Sequence, residues 1–214
     1  MIIAGIIAGI SVTVANSGHG TSSAAPISSA SDAATATLTG PPGPEGIPLE
    51  EGTLLAPESS SATGQTVDGI RCDASEQVVY HIHAHLTVYV NGALRPVPGG
   101  IGVVQPVAQQ TPNGTFYGAS QCYYWLHAHA QDGVIHVEAP SQTTYTLGQF
   151  FAIWRQPLTT AQVGPARGAL TVYVNGIRYS GTPAGIPLTS HEDIQLDVGT
   201  PVAPKKVDWS KSQL

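Results

Sequence analysis

Hydrophobic and polar residues alternate along the run from Val78 to Val90, a pattern typical of a β-strand. Successive side chains of a strand point to opposite faces, so this strand has one apolar face and one face that carries histidines. The histidine face holds His81, His83 and His85. The apolar face, which we expect to join the core, consists of Tyr80, Ile82, Ala84, Leu86, Val88 and Val90.

A second stretch of alternation predicts a β-hairpin. Residues 123–130 are typical of one strand and residues 134–139 of the returning strand, while Asp132-Gly133 between them favours a two-residue turn. That register places four polar side chains on one face, in the cross-strand pairs His129–His136 and His127–Glu138. The other face is predicted to be buried and is formed by Leu126, Ala128, Ile135 and Val137.

The C-terminal part of the chain predicts one helix and a final strand. Thr146 is a favoured N-cap, Gln149 completes a capping box, and Pro157 is expected to end the helix. Its apolar stripe consists of Leu147, Phe150, Phe151 and Trp154. The final strand, residues 193–198, is predicted to turn Ile194, Leu196 and Val198 inward, and Gln195 and Asp197 outward.

The first strand has a second copy in the chain. Residues 86–92, Leu-Thr-Val-Tyr-Val-Asn-Gly, are identical to residues 170–176, and both copies end in Asn-Gly, a strong signal for a tight turn. Arg167 and Ala169 stand in the second copy where the first has its second and third histidines. The strand therefore does not need histidine at these positions, which favours a role for the histidines other than folding.

The order of hairpin, helix, strand, short connection and strand resembles the β-grasp fold of ubiquitin and the small sulfur-carrier proteins. The resemblance rests on the tight hairpin and on Glu138-Ala-Pro-Ser, Thr146-Leu-Gly-Gln, Val172-Tyr-Val-Asn-Gly and His191-Glu-Asp-Ile. It implies an α+β domain with a β-grasp-like mixed sheet, one main helix and an added N-terminal strand that bears the histidines. The alternative is a mainly-β sandwich. The carriers end in Gly-Gly whereas this sequence ends Lys-Ser-Gln-Leu, so no carrier role is implied.

Composition divides the chain into three parts. Residues 1–15 are apolar but shorter than a membrane-spanning helix, so we expect a membrane anchor or the remnant of a signal peptide; an ordinary flexible terminus is the alternative. Residues 16–66 are rich in Ser, Ala, Thr, Gly and Pro, and are predicted to form a disordered spacer. Residues 67–214 are expected to form the globular domain. This order predicts an extracytoplasmic protein, either secreted or held at a membrane by its N-terminus.

Charge and cysteine content narrow the classes of function. Arg71 is the first basic residue, and no basic patch is present that would bind phosphates, so we expect no nucleic-acid partner. The two cysteines, Cys72 and Cys122, are predicted to form a disulfide in an oxidising compartment. Two buried thiols are the alternative.

The histidine pattern predicts a metal site. Six of the eight histidines lie in the two strand segments, and neutral imidazole is a common ligand for transition metals. Three alternate histidines span about 13 Å, so His81 and His85 are not expected to share an ion. The predicted ligands are His81, His83, His85, His127, His129 and His136, with Glu138 or Asp132 as an oxygen ligand or outer acceptor. The alternative is a solvated histidine face or a pH switch.

Ligand chemistry favours a divalent transition metal, with Zn or Cu(II) first. A blue-copper site is not expected, because the only methionine is Met1 and both cysteines are predicted to pair with each other. The leading hypothesis is a protein that stores, senses or delivers such an ion. A metal-dependent hydrolase, lyase or oxygenase is the second hypothesis. The third is a surface adhesion or assembly module that contacts a protein partner or another copy of itself.

Overall fold

The computed structural model describes residues 35–214, and these fold mainly as β-structure, with 41% in strands and 9% in helices. The strands are β1 (Ala36–Thr37), β2 (Cys72–Asp73), β3 (Tyr80–Val90), β4 (Ala93–Leu94), β5 (Val103–Thr111), β6 (Gly114–Tyr124), β7 (Leu126–His127), β8 (Val134–Ala139), β9 (Leu158–Thr159), β10 (Gln162–Val163), β11 (Ala166–Arg167), β12 (Leu170–Val174), β13 (Ile177–Arg178), β14 (Glu192–Val198) and β15 (Lys205–Lys206). The α-helix α1 is Leu147–Trp154, and short 3-10 turns lie at Glu58–Ser60, Pro183–Gly185 and Trp209–Lys211. Within residues 35–214, no helix is long and apolar enough to cross a membrane.

The largest sheet places the histidine strand near its middle. Its strand order is β13-β12-β14-β3-β8-β7, and β4 pairs with the end of β3. β3 runs parallel to β14 and antiparallel to β8. The apolar side of this sheet packs with α1 in the main core, which includes Leu86, Ile135, Phe150 and Trp154. Burial of these large side chains is the main force that holds the sheet and helix together.

The prediction of a β-grasp-like α+β domain is wrong. β5 and β6 form a long antiparallel hairpin, and β2 joins β6 to make a separate three-stranded sheet. Two smaller sheets are formed by β9 to β11 and by β1 with β15. The described chain is therefore closer to the mainly-β sandwich alternative. The β5–β6 hairpin escaped prediction because residues 105–110 are all exposed and show little apolar alternation.

The helix follows the sequence prediction because its signals are local. Thr146 Oγ1 accepts a hydrogen bond from the Gln149 backbone N–H at 3.4 Å, and Gln149 Oε1 accepts one from the Thr146 N–H at 2.9 Å. Arg155 then adopts the left-handed conformation, with φ of 56°, and ends the helix two residues before Pro157. The predicted stripe is buried: Leu147, Phe150, Phe151 and Trp154.

The sequence repeat is also a structural repeat. β3 with β4 and β12 with β13 form equivalent hairpins that turn at Asn91-Gly92 and Asn175-Gly176. All four turn residues have positive φ, between 51° and 80°, as a two-residue type I′ turn requires. The two copies lie on either side of β14. The copy without histidines at the matching positions thus forms the same hairpin.

The outer side of β14 is covered, which corrects the prediction that Gln195 and Asp197 point to solvent. Both side chains are buried beneath the C-terminal segment. Gln195 Oε1 accepts a hydrogen bond from the Lys205 N–H at 2.8 Å, and Asp197 Oδ2 accepts one from the Val202 N–H at 3.0 Å. The prediction that the side chains of Ile194, Leu196 and Val198 point into the core is confirmed.

The globular unit begins before Val67 and includes residues 35–66, which composition had assigned to the spacer. Ile47 and Leu55 are buried, and Gly43 and Ile47 are joined by a backbone hydrogen bond of 2.7 Å. The Ala62 N–H donates to the carbonyl of Ile153 at 2.7 Å. A few well-placed aliphatic side chains thus suffice to order a segment rich in small residues. The proposed anchor and the spacer up to residue 34 lie outside the described residues.

The disulfide between Cys72 and Cys122 is confirmed. It joins β2 to β6, which pair through Cys72 with Tyr124 and Asp73 with Tyr123. Because the two cysteines are separated by 50 positions, the bond closes a long loop and restricts the unfolded chain.

Replacing both cysteines by serine is expected to lower the free energy of unfolding by about 3 kcal/mol, through the larger entropy of the unfolded chain. Urea unfolding of the oxidised protein and the Cys72→Ser/Cys122→Ser variant measures this difference. Adding a reductant should shift the midpoint of the wild-type chain toward that of the variant and leave the variant unchanged. Equal midpoints for the oxidised protein and the variant would contradict the expectation.

Candidate metal centre

The register of β3 against β8 brings histidines from the two predicted segments together. His83 lies opposite His136, and His81 lies opposite Glu138. The imidazole rings of His83 and His136 are 4.5 Å apart between centroids. Residues of the two segments therefore lie side by side within one sheet.

The predicted register of the β7–β8 hairpin is wrong. His127, not His129, lies opposite His136, and Leu126 lies opposite Val137. The two-residue turn does not form because the backbone of Ala128 bonds elsewhere, to the Gly100 N–H at 2.7 Å and the Ile101 carbonyl at 2.9 Å. The longer connection that results still directs the side chain of His129 toward the other histidines.

His127 and His129 form the most constrained pair. Their Nε2 atoms are 3.0 Å apart. His127 Nδ1 donates to the carbonyl of Tyr124 at 2.8 Å, and His129 Nδ1 donates to the carbonyl of Tyr117 at 2.7 Å. Because these carbonyls are acceptors only, each ring carries a proton on Nδ1. Burial lowers the pKa of both rings, so each neutral imidazole turns an unshared electron pair at Nε2 toward its partner.

A second pair of histidines lies on β3. The Nε2 atoms of His81 and His83 are also 3.0 Å apart. Glu138 Oε1 lies 3.1 Å from His81 Nε2, while Glu138 Oε2 lies 3.9 Å from His127 Nε2. The single carboxylate of Glu138 therefore presents one oxygen to each histidine pair.

Two further glutamates, which sequence reasoning missed, approach these histidines. Glu45 Oε1 lies 2.8 Å from His136 Nε2, and Glu76 Oε1 lies 3.4 Å from His129 Nε2. Glu45 belongs to the segment assigned to the spacer, and nothing in its sequence indicates which surface it packs against. A signal for order was present in residues 47–55, where Ile47 and Leu49 precede the Leu-Leu pair within an otherwise small-residue segment.

The predicted ligands divide into those that converge and those that do not. Two groups have ligand atoms within 4.8 Å of one another: His81, His83, His136 and Glu138, and His127, His129, His136 and Glu138. We call these six residues the histidine–glutamate cluster. His85 and Asp132 are in neither group.

His85 and Asp132 belong to a neighbouring polar site. His85 Nε2 donates to the backbone carbonyl of Asp132 at 2.8 Å, so it is not free to bind an ion. Asp132 Oδ1 accepts from the Val134 N–H at 3.1 Å. Glu50 Oε1 lies 3.9 Å from His85 Nε2, and neither carboxylate oxygen of Glu50 has a hydrogen-bond partner among the described residues. Burial raises the pKa of Glu50 to about 8 and that of Asp132 to about 7.

Burial keeps three of the cluster histidines neutral. It lowers the pKa of His83 to about 3 and that of His129 to about 4, and it holds the pKa of His127 well below the ordinary value, with nearby imidazoles adding to each effect. His136 differs: burial opposes its charged form, but the carboxylates of Glu45 and Glu138 outweigh burial and raise its pKa to about 10. Neutral imidazole is the form that binds metals, so an ion that binds His136 must displace its proton.

A cavity of about 430 Å³ opens beside the cluster. Its lining includes cluster histidines, the three glutamates Glu45, Glu76 and Glu138, and also Phe116 and His191. Phe116 also stacks on His129, with ring centroids 4.3 Å apart. The cavity gives a small molecule or ion a route to the imidazole nitrogens.

Comparison with known proteins assigns no function to this site. The chain matches no protein-family model, no curated protein and no solved structure. The chemistry of the site therefore rests on its own geometry: a buried cluster of histidine and glutamate side chains that could hold a metal ion.

Proposed function

We propose that the protein is an extracytoplasmic metal-binding protein that stores, senses or delivers a divalent transition-metal ion at the histidine–glutamate cluster. The observation that carries this proposal is the pair formed by His127 and His129, whose unprotonated Nε2 atoms face each other at 3.0 Å. Two electron pairs at that distance repel each other unless a cation lies between them.

The dimensions of the pair suit a metal ion. With metal–nitrogen bonds of about 2.0–2.1 Å, two nitrogens on one ion at octahedral or tetrahedral angles lie about 2.9–3.4 Å apart. The carbonyls of Tyr124 and Tyr117 hold both rings in the tautomer that leaves Nε2 free, as the outer partners of metal-bound histidines do. Two buried oxygens that have no hydrogen-bond partner within residues 35–214, Glu45 Oε2 and Glu138 Oε2, add negative charge at the same place.

Ligand type supports Zn or Cu(II) as the ion. Both accept several imidazoles together with a carboxylate, whereas Mg and Ca prefer oxygen ligands. The disulfide is compatible with an oxidising, extracytoplasmic compartment. A tether through residues 1–15 stays a prediction.

Replacing His136 with glutamine is expected to lower the affinity for Zn(II) at least about a hundredfold, since His136 belongs to both groups of ligand atoms. Competition titration of the full chain against a chromophoric chelator measures the change. The matched control is His191→Gln, because His191 is exposed at the rim of the same cavity and belongs to neither group. The control should bind as the wild type does.

Circular dichroism of both variants establishes that they remain folded. If folded wild-type protein binds neither Zn(II) nor Cu(II), the proposed function is wrong. Equal affinities for the wild type and a folded His136→Gln variant would place the ion elsewhere.

The cavity favours a second candidate function, a metal-dependent enzyme. Such an enzyme needs an open coordination position and space for a substrate beside the ion. Replacing the ion with Co(II) and adding azide tests for that position. A change in the visible spectrum that saturates with azide supports the enzyme, and an unchanged spectrum supports a closed storage or delivery site.

A further inference from the structure

The cluster contains two sets of ligand atoms, and the two histidine pairs fall into different sets. His81 and His83 belong to one, and His127 and His129 to the other. Two ligands of one ion lie at most about 4.2 Å apart when metal–nitrogen bonds are about 2.0–2.1 Å. Each set is compact enough for one ion after a small contraction, because its atoms lie within 4.8 Å of one another. Neither set contains both the His81–His83 pair and the His127–His129 pair.

Glu138 is placed between the pairs. Its Oε1 lies 3.1 Å from His81 Nε2, and its Oε2 lies 3.9 Å from His127 Nε2. Its side chain is buried, and Oε2 has no hydrogen-bond partner among the described residues. A carboxylate that directs each oxygen to a different pair of nitrogen ligands has the arrangement of a bridge between two ions. Carboxylate-bridged two-metal sites hold their ions about 3.5–4 Å apart.

The charge of the surroundings also favours the binding of cations. Glu138, Glu45 and Glu76 all direct carboxylate oxygens toward cluster histidines, at 3.1, 2.8 and 3.4 Å. Glu45 is buried, and its Oε2 has no hydrogen-bond partner among the described residues. Glu45 and Glu138 are buried, where uncompensated negative charge is costly, whereas Glu76 is exposed to solvent.

We propose that the histidine–glutamate cluster is a two-metal centre in which His81 and His83 bind one ion, His127 and His129 bind a second, and Glu138 bridges them. His136 lies within reach of both ions and completes the centre. This inference rests on the proposed function, because it specifies how many ions the same cluster holds and how they are arranged.

Metal counting tests the number of ions. The full chain is loaded with Cu(II), desalted, and measured for copper and protein. We expect two ions per chain for the wild type, and one ion for each double variant, His81→Gln/His83→Gln and His127→Gln/His129→Gln. One ion in the wild type would overturn the two-metal centre and leave the proposed function standing. No ion in folded wild-type protein would end both.

Electron paramagnetic resonance tests the bridge. Two Cu(II) ions joined by one carboxylate couple their spins, so the integrated signal of the wild type should fall below its copper content. Each double variant should give a signal equal to its copper content. A wild-type signal that accounts for both ions in full would overturn bridging by Glu138. Circular dichroism confirms that each double variant is folded, and a variant that fails this check is replaced by its single substitutions, His83→Gln or His129→Gln.

Discussion

Saturation of the full chain with Zn(II) or Cu(II) is expected to raise its free energy of unfolding by about 4 kcal/mol for each ion bound, at a free-ion concentration about one thousand times the dissociation constant. The ligands come from β3, β7, the connection after β7, and β8, so unfolding disperses them. The ion also removes the repulsion between the facing nitrogens of His127 and His129. Urea unfolding at neutral pH with and without the ion measures the shift.

Reversal by a chelator and a comparison of ions make this test specific. EDTA should return the midpoint to that of the ion-free protein. Ca(II) at the same concentration should produce no shift, because it takes six to eight oxygen ligands and the cluster offers mainly nitrogen. If the unfolding curves with Zn(II), Cu(II), Ni(II) and Co(II) all superimpose on the curve of the ion-free protein, the protein has no transition-metal site.

Replacing Glu50 with glutamine is expected to raise the free energy of unfolding by about 4 kcal/mol at pH 8, and by less than about 1 kcal/mol at pH 5. Burial raises the pKa of Glu50 from 4.5 to about 8, although Thr87 acts in the opposite direction. Between these two values the unfolded chain gives up the proton and the folded chain retains it. The stability that Glu50 contributes is therefore complete below its unfolded pKa and is lost as the pH rises toward 8.

Glutamine cannot ionise, so the variant should escape this loss. Urea unfolding in EDTA at pH 5, 6, 7 and 8 gives the stability difference between variant and wild type at each pH. The matched control is Glu51→Gln, since Glu51 is the exposed neighbour on the same segment. Its difference from wild type should stay near zero throughout. A Glu50→Gln difference that does not grow with pH would show that Glu50 ionises normally in the folded chain.

Local signals predicted the elements well. The capping box at Thr146, the apolar stripe of α1 and the Asn-Gly turns depend on residues close together in sequence, and the structure contains all three. The disulfide was predicted from two cysteines and an expected compartment. The alternation around His81 and His83 predicted their common face, because the period of a strand is fixed by its backbone.

The predictions that were wrong concern contacts between segments that are distant in sequence. Asp132-Gly133 is a good turn sequence, yet Ala128 bonds to Gly100 and Ile101, and the register of the hairpin shifts. Gln195 and Asp197 alternate with apolar residues as exposed side chains do, yet the C-terminal segment covers them. The β5–β6 hairpin shows too little apolar alternation to be recognised from the sequence. Its separate sheet is one reason why the fold is mainly β.

The sequence by itself indicated where candidate metal ligands lie: histidines recur at the period of a strand in the two segments, and Glu138 continues the second. The tertiary structure decided which of them act together. It separated His85 from the cluster, brought Glu45 and Glu76 to it, and placed Glu138 between two histidine pairs. The physical reason is that strand period is a local property of the backbone, whereas metal coordination depends on distances of a few ångströms between segments distant in sequence.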